Sequence, residues 1–308
     1  MINLTYLKQI FFLKKIEFFY SLKSYLLRYL RSIKLEILYG FSLYDLLKLY
    51  FVGIFKGAIS TRASSISFSF FMAFFPFLLF VLNLIPFFPI ENFDHLFLDF
   101  LQSLLPEESA VFFHEIFLDI NEKKRSGLLS TTFIFSMILI GNGINSIFDC
   151  FSGSYHVEFT RSFFKQYMYA VLVGFILVFI MLIATSISII LDLLIQKDNF
   201  LLLVLLYFLK YIFLVGFSLL VFSSLYFFGS IQGRNLKFIS PGSVMTTVLL
   251  LTSSYFFGLY IENFASYNEL YGSIGALLIM MIYIWINSIS LILGFELNVV
   301  MYKLKNNQ

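Results

Sequence analysis

Gly272–Tyr302 reads GSIGALLIMMIYIWINSISLILGFELNVVMY, an apolar run that contains one carboxylate, Glu296, and no basic residue. About 20 apolar residues suffice to cross the hydrocarbon core of a bilayer as a helix. An ionisable group inside such a run is expensive to bury and marks a candidate functional position. The stretch predicts a membrane-spanning helix around which further spans pack.

Composition agrees with that reading. The 308 residues are 60% hydrophobic and 13% charged, with a mean hydropathy of +0.90, whereas soluble domains carry roughly a quarter charged residues. The 43 Phe and 19 Tyr are spread along the chain, as expected of lipid-facing and core aromatics rather than base-stacking platforms. A single cysteine, Cys150, excludes an intramolecular disulfide. From Met1 to Arg62 there are ten Lys or Arg against three acids, while Glu91–Glu122 holds eight acids and no Lys or Arg. That asymmetry is a topology signal and not a nucleic-acid footprint.

Six segments are long enough to span: Ser64–Ile90, Gly127–Phe148, Tyr169–Ile195, Phe200–Ser230, Pro241–Ile261 and Gly272–Tyr302. Basic residues recur in alternate connections, with Arg161 and Lys165, then Arg234 and Lys237, then Lys303 and Lys305. The positive-inside rule then places both termini in the cytoplasm, and six spans are consistent with it. Lys123, Lys124 and Arg125 resist the rule, unless they pair with the acidic loop before them. The fold class expected is all-α: a polytopic protein with residues 1–60 as amphipathic interfacial helices and 61–308 as a six-span domain. Lys14, Glu17, Ser21, Ser24, Arg28 and Arg31 form a polar stripe on the first interfacial helix, and Leu43–Lys56 is a second amphipathic piece. The connection 91–126 is too long for a plain loop, and its apolar spacing on either side of Pro106 predicts an outer helical hairpin.

Three groups of residues are candidates for function. Arg62 at the start of the first span and Glu296 near the end of the last share a depth, so they can pair. The pair reads as a staple between first and last helices, or, with Arg161, as a binding point for an anionic headgroup. Asn142, Asn145 and Asp149 follow helical spacing and line either a polar crevice or a helix contact; such interhelical hydrogen bonds contribute about 0.6 kcal/mol. Gly272, Gly275, Ala276, Gly294 and Asn298, together with the serines at 64, 65, 67 and 69, offer small or polar surfaces for close helix packing. Asp192 and Lys210 are a borderline pair, about 10 Å apart in depth. His95 with Asp99, and His114 with Glu115, suggest an outer metal site only weakly, against ordinary solvated residues. No phosphate-cradling motif is present, and neither a cofactor nor a metal is expected.

Two stretches resemble a known family. Arg62–Pro89, RASSISFSFFMAFFPFLLFVLNLIPFFP, and Gly233–Tyr302, with Pro241–Gly242, the YGSIGA of Tyr271–Ala276 and the GFELN of Gly294–Asn298, resemble in order and spacing the YihY, or virulence factor BrkB, family of bacterial inner-membrane proteins, formerly labelled ribonuclease BN. Glu158–Phe164, EFTRSFF, agrees more weakly, and the first 40 residues look like an addition. The resemblance implies a six-span helical inner-membrane protein whose biochemical role is poorly settled. Three readings follow: a transporter or flippase-like protein for an anionic lipid or envelope component, a non-enzymatic scaffold for envelope proteins, or, disfavoured, a membrane-bound hydrolase. Membrane lipid is the expected partner, nucleic acid is not, and oligomeric state is unreadable from one chain.

Overall fold

The computed structural model describes residues 42–84, 129–157, 160–195, 200–231, 237–263 and 273–306, with isolated positions elsewhere. Seven helices make up these residues: α1 Leu43–Lys56, α2 Ile59–Leu84, α3 Leu129–Ser152, α4 Phe163–Ile195, α5 Phe200–Gly229, α6 Pro241–Asn263 and α7 Ser273–Asn306. The outer hairpin of 91–126, the Lys123–Arg125 cluster, His95, Glu115, the Asp192 side chain and most of the first interfacial helix lie outside the described residues.

Four of the described helices contain stretches long and apolar enough to cross a membrane: Phe163–Ser188, Val204–Gly229, Pro241–Tyr260 and Leu277–Asn306. Only 6% of the α5 window is buried, so its Val204, Tyr207, Phe208 and Tyr211 face outward. A helix that is apolar all round is at home in hydrocarbon.

Each helix from α3 to α7 packs against its predecessor, and α7 returns to α2, which closes a ring of six; α1 lies against α7. Because neighbours alternate in direction, the start of α2, the end of α3, the start of α4, the end of α5, the start of α6 and the end of α7 gather at one end. Lys56, Arg62, Arg161, Lys165, Lys237, Lys303 and Lys305 all lie at that end.

The helices run further than the apolar segments did. α2 begins at Ile59 rather than Ser64, α4 at Phe163 rather than Tyr169, and α7 continues to Asn306. Hydropathy marks only the membrane-thick part of a helix, whereas capping and charge set its ends. Arg62 is thereby inside the first turn of α2, and Lys303 and Lys305 complete the last turn of α7. α1 shows the local logic most clearly. Ser42 Oγ accepts from Asp45 N–H at 3.3 Å while the Asp45 carboxylate accepts from Ser42 N–H at 3.1 Å, a capping box.

α6 and α7 touch backbone to backbone. A Cβ on Gly242 would lie 2.1 Å from Gly294 O, and one on Gly294 would lie 2.6 Å from Gly242 O. Asn298 exploits this closeness: its Oδ1 accepts from Gly242 N–H at 2.8 Å and its Nδ2 donates to Ser240 Oγ at 2.8 Å. An orphan donor at the start of α6 is thus satisfied from a neighbouring helix. Tyr226 of α5 joins the contact by donating to Leu291 O at 2.8 Å and hydrogen bonding with Thr246 Oγ1. On the α2 side, Ser67 Oγ donates to Met281 O at 3.2 Å and Trp285 Nε1 donates to Ser64 Oγ at 3.2 Å. Gly275 is buried, whereas Gly272 and the Ala276 side chain lie outside the described residues.

Glycine substitutions separate these roles. Gly242→Ala and Gly294→Ala should each destabilise by about 1–3 kcal/mol through overpacking. Gly216→Ala and Gly258→Ala, where nothing lies within 4 Å of an added Cβ, should be neutral or stabilise by about 0.5–1 kcal/mol. Thermal unfolding of the four variants in one detergent checks the contrast.

Candidate functional site

The charged end of the ring is organised by Glu296, which has no exposed surface. It sits ten residues before Asn306, the last residue of α7, about 15 Å inside the helix end. Its Oε1 pairs with Arg62 Nη1 at 2.8 Å, and its Oε2 accepts from Ser154 Oγ at 2.8 Å. Arg62 is itself held on three sides. Its Nε donates to Cys150 O at 2.8 Å, and Nη1 also donates to Gly57 O at 3.1 Å. Cys150 Sγ returns a bond to Arg62 O at 3.3 Å. One ion pair therefore ties α1, α2, α3, α7 and the turn after α3.

α1 covers this pair by presenting glycine. A Cβ at Gly53 would stand 3.0 Å from Glu296 Oε2 and 3.2 Å from the His156 ring, and one at Gly57 would stand 3.1 Å from Arg62 Nη1. Tyr50, one turn earlier on α1, donates its hydroxyl to Leu293 O at 3.2 Å. Burial, and then the negative charge of Glu296, push its phenol up to about 12. Ala58, between α1 and α2, has φ of 45°, a left-handed conformation that reverses the chain so that both helices reach the pair.

His156 is the other buried polar group here. Its Nε2 lies 3.0 Å from Leu49 O; a carbonyl only accepts, so Nε2 carries a proton. Its Nδ1, like Arg62 Nη2, is buried without a hydrogen-bond partner among the described residues.

The remaining sequence candidates fall into separate places. Arg161 donates to Phe228 O and to Ser230 O at 3.2 Å, and stacks over the Tyr169 ring at 4.5 Å. It neutralises the carbonyl end of α5. Asn145 donates to Asp149 Oδ2 at 2.9 Å, and Gln166 of α4 donates to both, to Asn145 Oδ1 at 3.2 Å. This joins α3 to α4, while Asn142 is exposed. Lys210 is partly buried within α5. Sequence reasoning missed Ser154, His156, Gln166, Gly53 of α1 and Gly57 at its C-terminal cap. The spacing of Gly53 and Gly57, one helical turn apart on an amphipathic helix, was the available signal.

Next to the ion pair lies an aromatic layer. Phe151 stacks on Phe295 with centroids 4.0 Å apart and planes 8° apart, and Tyr226 and Phe148 pack beside them. Arg62 holds the carbonyl of Cys150, the residue before Phe151, and Glu296 follows Phe295. The clamp thus grips the backbone on both sides of the stack.

Removing one partner strands a buried charge, so Glu296→Ala and Arg62→Ala should each lose about 3–5 kcal/mol of stability. Arg62→Lys should recover only part of that loss, because an ammonium cannot reproduce the fork that reaches Cys150 O, Gly57 O and Glu296 together. Unfolding midpoints of the three variants in lipid nanodiscs measure this ranking.

A ribonuclease-like protein, YfkH of Bacillus subtilis (strain 168), is 28% identical over 257 residues, which covers 80% of this chain and 90% of that protein. UPF0761 membrane proteins of Xanthomonas oryzae pv. oryzae and Xanthomonas axonopodis pv. citri are each 33% identical over 57 residues, 18% of this chain and 13% and 14% of theirs. No solved structure matches. The family model described as virulence factor BrkB matches residues 52–308, from α1 through the Arg62–Glu296 clamp to the last residue, and the chain belongs to that family of membrane proteins.

Proposed function

We propose that this chain is a six-span transporter or flippase-like protein of the bacterial inner membrane, with both termini cytoplasmic, that moves an anionic lipid or lipid-linked envelope component. The observation that carries the reading is a half-open apolar cavity among four helices, with the clamped aromatic layer packed at its charged end.

The cavity lies between α2, α3, α4 and α5, with a volume of about 280 Å³. Its lining residues, such as Ala73, Ile140, Leu177 and Val221, are displaced on every helix in the same sense from the core residues Ile66, Phe148, Val173 and Tyr226. Ala73 is seven residues beyond Ile66, about 10 Å along α2. Ile144, Leu177 and Val221 belong to the cavity wall and also pack on the core, so the core is the cavity's floor. A path closed at one end by a layer that a single ion pair holds is the arrangement an alternating-access carrier requires in one of its states. The gathering of Lys56, Arg161, Lys165, Lys237, Lys303 and Lys305 at the floor end supports a cytoplasmic orientation for it.

Arg62 contributes as part of the gate rather than as an open headgroup site, since Glu296, Cys150 O and Gly57 O take its Nε and Nη1 donors and Nη2 is buried. The ribonuclease-like name belongs to YfkH. Our reading of this chain is non-catalytic.

In proteoliposomes the protein should accelerate exchange of fluorescent phosphatidylglycerol between leaflets. With Cys150→Ala as background, cysteines at 151 and 295 bridged by a short reducible thiol reagent should bring exchange to the protein-free rate, and reduction should restore it. Exchange that persists in the bridged protein, or wild-type exchange no faster than empty vesicles, would contradict the reading.

A further inference from the structure

The cavity has a chemistry of its own. Its wall is built from apolar side chains and glycine alone, including Ala73 of α2, Gly143 of α3, Gly174, Val178 and Met181 of α4, and Val221 of α5. A water needs two to four polar partners to occupy a buried space, and an apolar cavity of about 150 Å³ stays dry and takes benzene instead. This one, at about 280 Å³, is almost twice that size. A headgroup drawn into it would surrender its hydration with nothing in return, because Arg62 and Glu296 lie beneath the floor and are bonded to each other.

The small residues explain why space is left. A Cβ at Gly174 would stand 2.9 Å from Ile140 Cγ2, and one at Gly143 would stand 3.1 Å from Ala73 Cβ. α3 is thereby drawn close to both α2 and α4, and neither glycine contributes a side chain to the space beside these contacts. The surrounding solvent offers one ligand class that matches. α5, which forms part of the wall through Phe217 and Val221, is apolar on its outward face, and Phe70 of the α2 wall is itself exposed, so the cavity adjoins lipid hydrocarbon.

We propose that the cavity binds one hydrocarbon chain of a membrane lipid, with the headgroup held outside the bundle. This rests on the transport reading and names the part of the substrate that the interior accepts. The volume suits a segment of a single chain; two chains side by side exceed it.

The test uses the full chain in nanodiscs and a palmitic acid analogue with a mid-chain diazirine. After photolysis, adducts are mapped by mass spectrometry. Adducts are expected on the α4 and α5 segments that carry Met181 and Val221. Val221→Trp should reduce them by about tenfold, the consequence of a 1.4 kcal/mol loss in binding, while leaving adducts at outward-facing Phe208 and Tyr211 unchanged. Ala73→Phe fills the same space from α2 and serves if Val221→Trp does not fold. Adducts confined to the outward positions, or cavity adducts indifferent to both substitutions, would overturn the proposal. Labelling of the cavity in a protein that exchanges no lipid upholds the chain site and removes transport; lipid exchange with an unlabelled cavity does the reverse.

Discussion

A buried carboxylate has to be neutralised where it sits, and most of the charged end of this protein follows from how Glu296 achieves that. Desolvating one charge in a bundle costs several kcal/mol, and a paired partner offsets the cost only with further hydrogen bonds on both ions. Arg62 supplies the charge. Ser154 takes the second carboxylate oxygen, and Cys150 O and Gly57 O take two further guanidinium donors. Each demand fixes a different element: the last helix, the first, the end of α3, the turn beyond it and the end of α1. The glycines at 53 and 57 are what let a whole helix approach so closely.

The five residues GFELN sit on one helix and serve three directions at once. Gly294 faces α6 and Tyr226, Phe295 stacks on Phe151 inside the ring, and Glu296 turns toward α1 and α2. Asn298 reaches the first turn of α6. At 100° per residue such neighbours must point apart, so a short motif can set the packing of the last helix against every element around it. This places the aromatic layer, the clamp and the α6 contact in one rigid piece of backbone. A change at the clamp therefore has a direct mechanical route to the aromatic layer.

The sequence made the architecture legible because hydropathy over a span of 20 residues is a strong signal. It also made the Arg62–Glu296 pairing legible, since two lone opposite charges at equal depth have few alternatives. It located α1, Leu43–Lys56, by its amphipathic pattern. What it could not supply was lateral order. Depth alone put Arg161 beside Arg62, but Arg161 serves the end of α5, because a one-dimensional pattern carries no information on which helices are neighbours. Ser154 and His156 were similarly hidden: they lie in a turn, where no periodicity marks a buried face. The cavity was invisible for a related reason. It is defined by missing volume at Ala73, Gly143 and Gly174, and small residues in a membrane helix read equally well as close packing.

The central claim is that one ion pair holds the charged end of the ring together, and hydrogen exchange in the Glu296→Gln protein tests it most directly. Loss of the charge should speed amide exchange by about tenfold or more, the effect of at least 1.4 kcal/mol of local opening, in residues 43–57 and 148–157. The α4 and α5 segments that wall the cavity should keep their wild-type rates. Unchanged exchange at 43–57 and 148–157 would contradict the account, and so would an acceleration spread evenly over all helices.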